Sequence, residues 1–389
     1  MMIGMESIVQ QANNFCPAPW NAMFYQVDKA SVCCVSEDKL KMTPDEFRKS
    51  QYLKQLKQDL LDGKKPSNCN NCWKTEEKNH QSIRQHFLTN FPGYNFTDTE
   101  DYPLEYMELR CSNLCNFMCR MCNPTNSIEI AREAKKFPFI HKFHDKGEYE
   151  LSEISEENYS QISRSTKDLK YLFLTGGEPF LMKQYYDLLD SMIDNGKCDD
   201  TVLQIYTNCS VYNPKFVDKI KRFKSVKLNM SIDAVGKVAE YQRKGTNWET
   251  VKSNAVKLAE IENIQPFIHS TVTAYTVLDM SALIDFYVEM QDKFPNIKFM
   301  MHTASHPLGM SYTCLDERTR KFAAAQISDA IKKIETRPKM GRIKEELRHM
   351  SQGLAYTPIK DFDKLCNLTK YFDAMRDESF EDVFGYKLF

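Results

Sequence analysis

The chain has 389 residues of which 42% are hydrophobic, enough to bury a sizeable core and to exclude wholesale disorder. Lysine plus arginine number 52 and aspartate plus glutamate 53, a net charge of −1 that offers no bulk attraction to nucleic acid or to an anionic membrane. No apolar run approaches the roughly 18–20 residues that span a bilayer, and residues 1–15 lack the basic start and apolar stretch of a signal peptide. A cytoplasmic, reducing setting is therefore expected, where clustered cysteines bind metal or do redox chemistry rather than form disulfides.

Residues 1–100 read as a small cysteine-rich module. FCPAPWNAMFYQVDKASVCCV predicts two short strands joined by a turn near Asp28–Lys29. A helix is expected over 44–62, opened by Thr43 and Pro44 and closed at Gly63, with Pro66 beyond. Cys69 and Cys72 follow in NCNNCW and lead into a polar helix at 74–88. The turn-rich, acidic segment 91–103 marks a domain boundary.

From 101 to 312 strand and helix alternate. Strand-like runs fall at 104–109, 170–174, 202–207, 226–232, 267–273 and 297–302. Helical stripes lie between them, such as Leu188, Leu189, Met192 and Ile193, or Phe216, Val217, Ile220 and Phe223. Such βα repeats build a parallel sheet with right-handed crossovers. Six units are too few for a closed eight-stranded barrel, so the expected fold is α/β, a partial (β/α)6 TIM-like barrel. The long segment between the first two strands carries His141 and His144 among acids and reads as a solvated insertion rather than a metal pair. Residues 313–389 form a helical C-terminal extension, whose aromatic tail from 361 is expected to pack over the barrel mouth.

The chemistry concentrates in LRCSNLCNFMCRMCNP, residues 109–124. Cys115, Cys119 and Cys122 stand as C-x3-C-x2-C just after the first barrel strand. Three thiolates can hold three irons of a cubane cluster and leave the fourth open. Structural zinc instead favours four ligands in two separated pairs. At the end of the second strand, LTGGEP presents Gly176 and Gly177, which spare side chains where a ligand would approach backbone, and the carboxylate of Glu178. Both motifs sit at the rim where parallel barrels place their chemistry. Cys111, Cys198, Cys209, Cys314 and Cys366 read as buried small apolar residues.

CNFMCRMC followed by TGGEP resembles the radical S-adenosylmethionine (SAM) enzymes, over roughly residues 104–310. The resemblance implies that Cys115, Cys119 and Cys122 hold a 4Fe–4S cluster whose open iron takes SAM. It implies reductive cleavage of SAM to a 5′-deoxyadenosyl radical, with an electron donor such as flavodoxin or ferredoxin. Gly176, Gly177 and Glu178 match the segment that contacts the SAM amino group. Thr207 and Asn208, and Ser231 and Asp233, match positions that bind its ribose or methionine part. Arg243 matches a partner of the SAM carboxylate, which a guanidinium can hold by paired hydrogen bonds. Met121 departs from the aromatic residue usual before the last cysteine; a thioether can still pack on a purine.

Cys16, Cys33 or Cys34, Cys69 and Cys72 resemble a twitch or SPASM-like module, here placed before the barrel. That resemblance implies a second, auxiliary 4Fe–4S cluster, with a four-cysteine zinc site as the alternative. The glycine usual before the second cysteine is replaced by Asp28 or Lys29 in the two alignments. The implied substrate is a small molecule or a peptide. RNA modification is disfavoured by the neutral charge, and a scaffold that binds SAM and clusters without catalysis has no use for Glu178, Asn208 and Asp233.

Overall fold

A computed structural model describes residues 14–78, 80–90, 96–138, 151–307 and 309–389. His141 and His144 lie outside the described residues.

Among the described residues, eleven strands set the frame: β1 (Ala22–Gln26), β2 (Lys29–Ser31), β3 (Leu40–Lys41), β4 (Tyr106–Arg110), β5 (Met118–Cys119), β6 (Tyr171–Leu174), β7 (Val202–Thr207), β8 (Ser225–Ser231), β9 (Arg243–Lys244), β10 (Ile264–Val272) and β11 (Lys298–Thr303). Nine form one sheet in the order β11-β10-β8-β7-β6-β4-β1-β2-β3. The six expected barrel strands, β4, β6, β7, β8, β10 and β11, pair in parallel. A seventh parallel strand joins them from the cysteine-rich segment: β1 pairs with β4 from Ala22↔Tyr106 to Gln26↔Arg110. The sheet therefore runs across the boundary expected near residue 100. The physical reason is the edge of β4, whose backbone groups need partners that β1 supplies.

The strands have two unlike faces. Met107, Leu109, Leu172, Leu174, Leu203, Ile205, Leu228 and Ile268 are fully buried. Alternate residues, among them Arg110, Phe173, Tyr206, Ser231 and His269, are only partly buried. The apolar face packs under the crossover helices, where Leu188, Leu189, Met192, Phe216, Ile220, Ala255, Leu258 and Leu283 are buried as their periodicity predicts. The other face is the concave interior.

The single helix expected over 44–62 is two, Pro44–Lys49 and Gln51–Leu61. Thr43 opens the first with a reciprocal capping box to Glu46. Ser50 breaks the run because its backbone is extended and its hydroxyl caps Leu53 N, starting a second helix. The expected helix at 74–88 is likewise two, Asn70–Glu77 and Ile83–Asn90.

The C-terminal extension is helical: Glu317–Ile334, Gly341–Tyr356, Phe362–Arg376 and Phe380–Phe384. Its last part docks beside the barrel rim. Arg376 makes a bidentate pair with Glu133 at 2.8 and 2.7 Å, and both side chains are buried. Removing one member of such a pair leaves a buried charge alone. Glu133→Ala is expected to lower unfolding free energy by about 3–5 kcal/mol, and Glu133→Leu with Arg376→Met to recover most of it; urea denaturation measures both.

Candidate active site

The cysteine loop is built between two strand ends. After β4 the chain turns, and Cys111, on the helix side, is fully buried with its N–H donating to Tyr185. β5 then pairs antiparallel with β9, placing Cys119 opposite Arg243. Cys122 N donates to Cys119 O at 3.0 Å, closing a tight turn. Ser127 finishes the loop: its hydroxyl caps Ile130 N and donates to Phe117 O at 2.7 Å. Cys115, Cys119 and Cys122 all line one cleft of about 470 Å³, together with Gly176, Gly177, Thr207, Asn208, Ser231 and Arg243.

The glycines, which line the cleft, also let two loops meet. Glu178 N donates to Leu114 O at 2.7 Å and Gly177 N to Ser112 O at 3.2 Å, so the two loops are stitched backbone to backbone. A Cβ on Gly177 would stand 2.0 Å from Leu114 O, and one on Gly176, where φ is +110°, would stand 2.8 Å from Ser112 O. What approaches the glycines is the cysteine loop itself.

Glu178 and Asp233 are each 1% exposed and do not line the cleft. Glu178 accepts from Thr207 Oγ1 at 2.8 Å, Asn208 N at 2.7 Å and Phe180 N at 3.2 Å, tying the end of β6 to the end of β7. Burial, opposed by these donors, pushes its carboxyl up to about 7. Asp233 accepts from Thr271 N at 2.8 Å and from Arg243 Nε at 2.6 Å. Arg243, thus oriented, turns a second nitrogen to Cys119 Sγ at 3.6 Å within the cleft. Asn208 Nδ2 lies 3.9 Å from Cys115 Sγ.

Arg120, inside the cysteine loop, is fully buried. It donates to Asp373 at 2.7 Å, Glu378 at 2.5 Å and Tyr241 O at 2.9 Å, and stacks 3.6 Å from the Tyr241 ring centre. The C-terminal tail thus grips the loop from behind.

The N-terminal thiols separate into two groups. Cys16, Cys33, Cys69 and Cys72 line a common cavity with Pro19, Trp73 and Phe87. Cys34 turns the other way and lines the barrel cleft with Glu108 and Arg110. Sequence reasoning missed these last two, and with them Phe173 and Tyr206. For Glu108, Arg110 and Tyr206 the signal was the alternation in YMELR and VLQIY, since strands covered on both faces read as continuous apolar runs; YLFL, which holds Phe173, gave none.

The donor sets fit iron–sulfur clusters in kind. Burial pushes Cys122 and Cys69 up to about 12 and Cys33 up to about 11; it also raises Cys115 and Cys16, with neighbouring thiols adding to the rise. Thiols so grouped ionise when cationic metal takes the charge. Among the described residues no three His, Cys, Asp or Glu side chains close around a single metal ion; a cubane keeps its thiolates on separate irons.

Residues 109–279 match the family model of the radical SAM superfamily, and the barrel segment is a radical SAM domain. No curated protein matches the sequence. Among solved structures, native anSMEcpe with bound AdoMet and Cp18Cys peptide is 17% identical, covering 57% of this chain and 58% of its own, at a TM-score of 0.39. Streptococcus suis SuiB bound to precursor peptide SuiA is 15% identical over 69% of this chain and 60% of its own, at 0.37. TsrM from Kitasatospora setae, a radical SAM methyltransferase with cobalamin and a 4Fe–4S cluster bound, is 15% identical over 50% and 34%, at 0.35. The chain thus spans less than two thirds of the length of each.

Two substitutions probe the seam. Gly177→Ala is expected to displace the cysteine loop, seen as lost iron uptake in whatever protein still folds. Glu178→Gln sets an amide donor against donors and is expected to cost about 1–3 kcal/mol. The folded Glu178 carboxyl holds its proton more tightly than the ordinary value of 4.5, so the stability it contributes falls as pH rises from 4.5 through about 7. Denaturation across that window should flatten in the glutamine variant.

Proposed function

We propose that this chain is a radical SAM enzyme that oxidises or modifies a small molecule or peptide. The observation that carries the reading is the meeting of Cys115, Cys119 and Cys122 with the ends of β6, β7 and β8 in one cleft. Cys115, Cys119 and Cys122 hold three irons of the barrel cluster. Cys16, Cys33, Cys69 and Cys72, which share a cavity, hold the auxiliary one; Cys34, on the far side of that wall, is left outside the set. When bound, the barrel cluster supplies the electron that cleaves SAM, and the auxiliary cluster accepts an electron from the oxidised substrate.

The chain's own residues position the reactants. Arg243, braced by Asp233 through Nε, offers its remaining nitrogen, Nη2, to the SAM carboxylate. The loop of Gly176 and Gly177, fixed by the backbone seam and by Glu178, presents carbonyls to the SAM amino group. Thr207, Asn208 and Ser231 bound the ribose side. Asp233 and Glu178 act as positioning residues rather than as direct ligands, since their oxygens are already engaged. SAM held beside Thr207, Asn208, Ser231 and Arg243 would supply a 5′-deoxyadenosyl group able to take a hydrogen atom from a substrate carbon in the same cleft. The second electron would go to a cluster held by Cys16, Cys33, Cys69 and Cys72 and the proton to solvent, a net two-electron oxidation of the substrate. The initiating electron comes from a donor such as flavodoxin or ferredoxin.

Protein reconstituted anaerobically with iron and sulfide should form 5′-deoxyadenosine from SAM and dithionite, and Cys119→Ala should abolish it. No 5′-deoxyadenosine from iron-loaded wild type would sink the reading. Iron should total about eight per chain, falling to about four in Cys16→Ser/Cys69→Ser, as expected for two four-iron cubanes. About four in wild type would remove only the auxiliary cluster.

A further inference from the structure

The concave face of the sheet is not a filled core. Its inward positions are aromatic and polar, and most retain solvent exposure: Tyr171 and Phe173 on β6, Gln204 and Tyr206 on β7, Lys227 and Ser231 on β8, Phe267 and His269 on β10, Lys298 and His302 on β11. Helix Ile83–Asn90 walls one side, with Phe87 edge-on to Tyr106 at 5.0 Å and Ile83 in the cleft.

Two layers follow from position along each strand: Phe173, Tyr206, His269 and His302 stand nearer the C-terminal ends than Tyr171, Gln204, Phe267 and Lys298. Nearer the thiols, four rings from four strands form a row: Phe173 to Tyr206 at 5.1 Å, Tyr206 to His269 at 4.9 Å, and His269 to His302 at 4.6 Å. Phe173 and Tyr206 share the cleft with Cys115, Cys119 and Cys122. His269 Nδ1 is buried without a hydrogen-bond partner. Burial and the neighbouring His302 hold His269 neutral, with its pKa lowered to about 3.

Farther from the strand ends lie two ammonium groups. Lys227 sits 5.2 Å from the Tyr171 ring centre and Lys298 5.4 Å from that of Phe267. Among the described residues neither has a carboxylate partner. Glu108, the one carboxylate at these inward positions, pairs with Arg110 at 3.4 Å. The two lysines are close enough for Lys298 to help depress the Lys227 ammonium, after burial. Two like charges held over rings with no counter-charge leave a place for an anion.

We propose that this face binds a small aromatic carboxylic acid, its ring against the Phe173–Tyr206–His269 row and its carboxylate on Lys227 and Lys298. The inference rests on the radical SAM reading and names the substrate class of that site. Charge complementarity selects the acid. The row selects a planar ring, since stacked and edge-on ring pairs add to simple burial. The helix wall favours an enclosed small molecule over an extended chain. The orientation follows from the two layers: the ring end lies toward the thiols and the acid end away from them, so the hydrogen removed comes from the ring side of the substrate.

Binding tests this without radical chemistry. Reconstituted full-length protein, with SAM and no reductant, would be titrated with 4-hydroxyphenylacetate and indole-3-acetate. Cyclohexylacetate (an acid without a π face) and 4-hydroxyphenylethanol (a ring without charge) are the controls. Both aromatic acids should bind at least tenfold tighter than either control. Lys227→Gln/Lys298→Gln should erase the advantage over the alcohol, and Tyr206→Leu the advantage over cyclohexylacetate, with circular dichroism confirming that each variant is folded. The proposal is overturned if either control matches the aromatic acids, if neither aromatic acid binds saturably, or if the double lysine variant binds unchanged. Binding of the ring only within an acidic peptide overturns the small-molecule assignment. SAM binding in the same samples separates the outcomes. Failure there defeats the proposed function, whereas SAM binding without probe binding defeats the substrate class alone.

Discussion

The hydrogen bond from Glu178 N to Leu114 O, 2.7 Å long, holds the site together. It joins the loop after β6 to the loop that carries the cysteines, at a separation only glycine permits beside it. Everything catalytic in the reading hangs on that seam. The cysteines are placed relative to the strand ends because the two backbones touch, and Glu178 can then reach Thr207 and Asn208 on the next strand. A side chain at residue 177 would force the loops apart before any ligand arrived.

Around the seam the molecule uses charge sparingly and in closed sets. Asp233 orients Arg243, and Asp373 with Glu378 neutralises Arg120. Each set buries ions with counter-ions already in place, the condition under which a buried charge is tolerated. The inward lysines of β8 and β11 break this pattern. Lys227, half-buried, and Lys298, exposed, stand without a carboxylate partner among the described residues, on the face proposed to take an anion.

Much of this was legible in the residues. The alternating strand and helix stripes located all six barrel strands to within a few residues, because apolar periodicity is imposed by the helix layer. The three barrel cysteines and the strand-end motifs meet in space as their spacing implied. Other features were hidden for physical reasons. The pairing of β1 with β4 joins residues 84 apart, and nothing local encodes such a contact. Ser50 breaks a helix through a cap that periodicity does not register. Glu178 and Asp233 carry the expected residue types, but only the fold reveals that their oxygens are occupied. The neighbouring Cys33 and Cys34 are chemically identical in sequence and are told apart by which wall each faces. The concave face was readable in principle, from alternation where a doubly covered strand would be uniformly apolar.

The grip on Arg120 has a consequence in time. Asp373 and Glu378 lie 253 and 258 residues downstream of it. Chains emerge at about 5–20 residues per second, so the ribosome presents the cysteine loop well before the carboxylates that secure it. During that interval Arg120 has no counter-ions to be buried against and stays in water, leaving its flanking cysteines open to solvent. The loop can settle only when the last helices dock. Until the helices that carry Asp373 and Glu378 dock, the thiols that flank Arg120 are easy to reach; once they dock, the loop is held from behind.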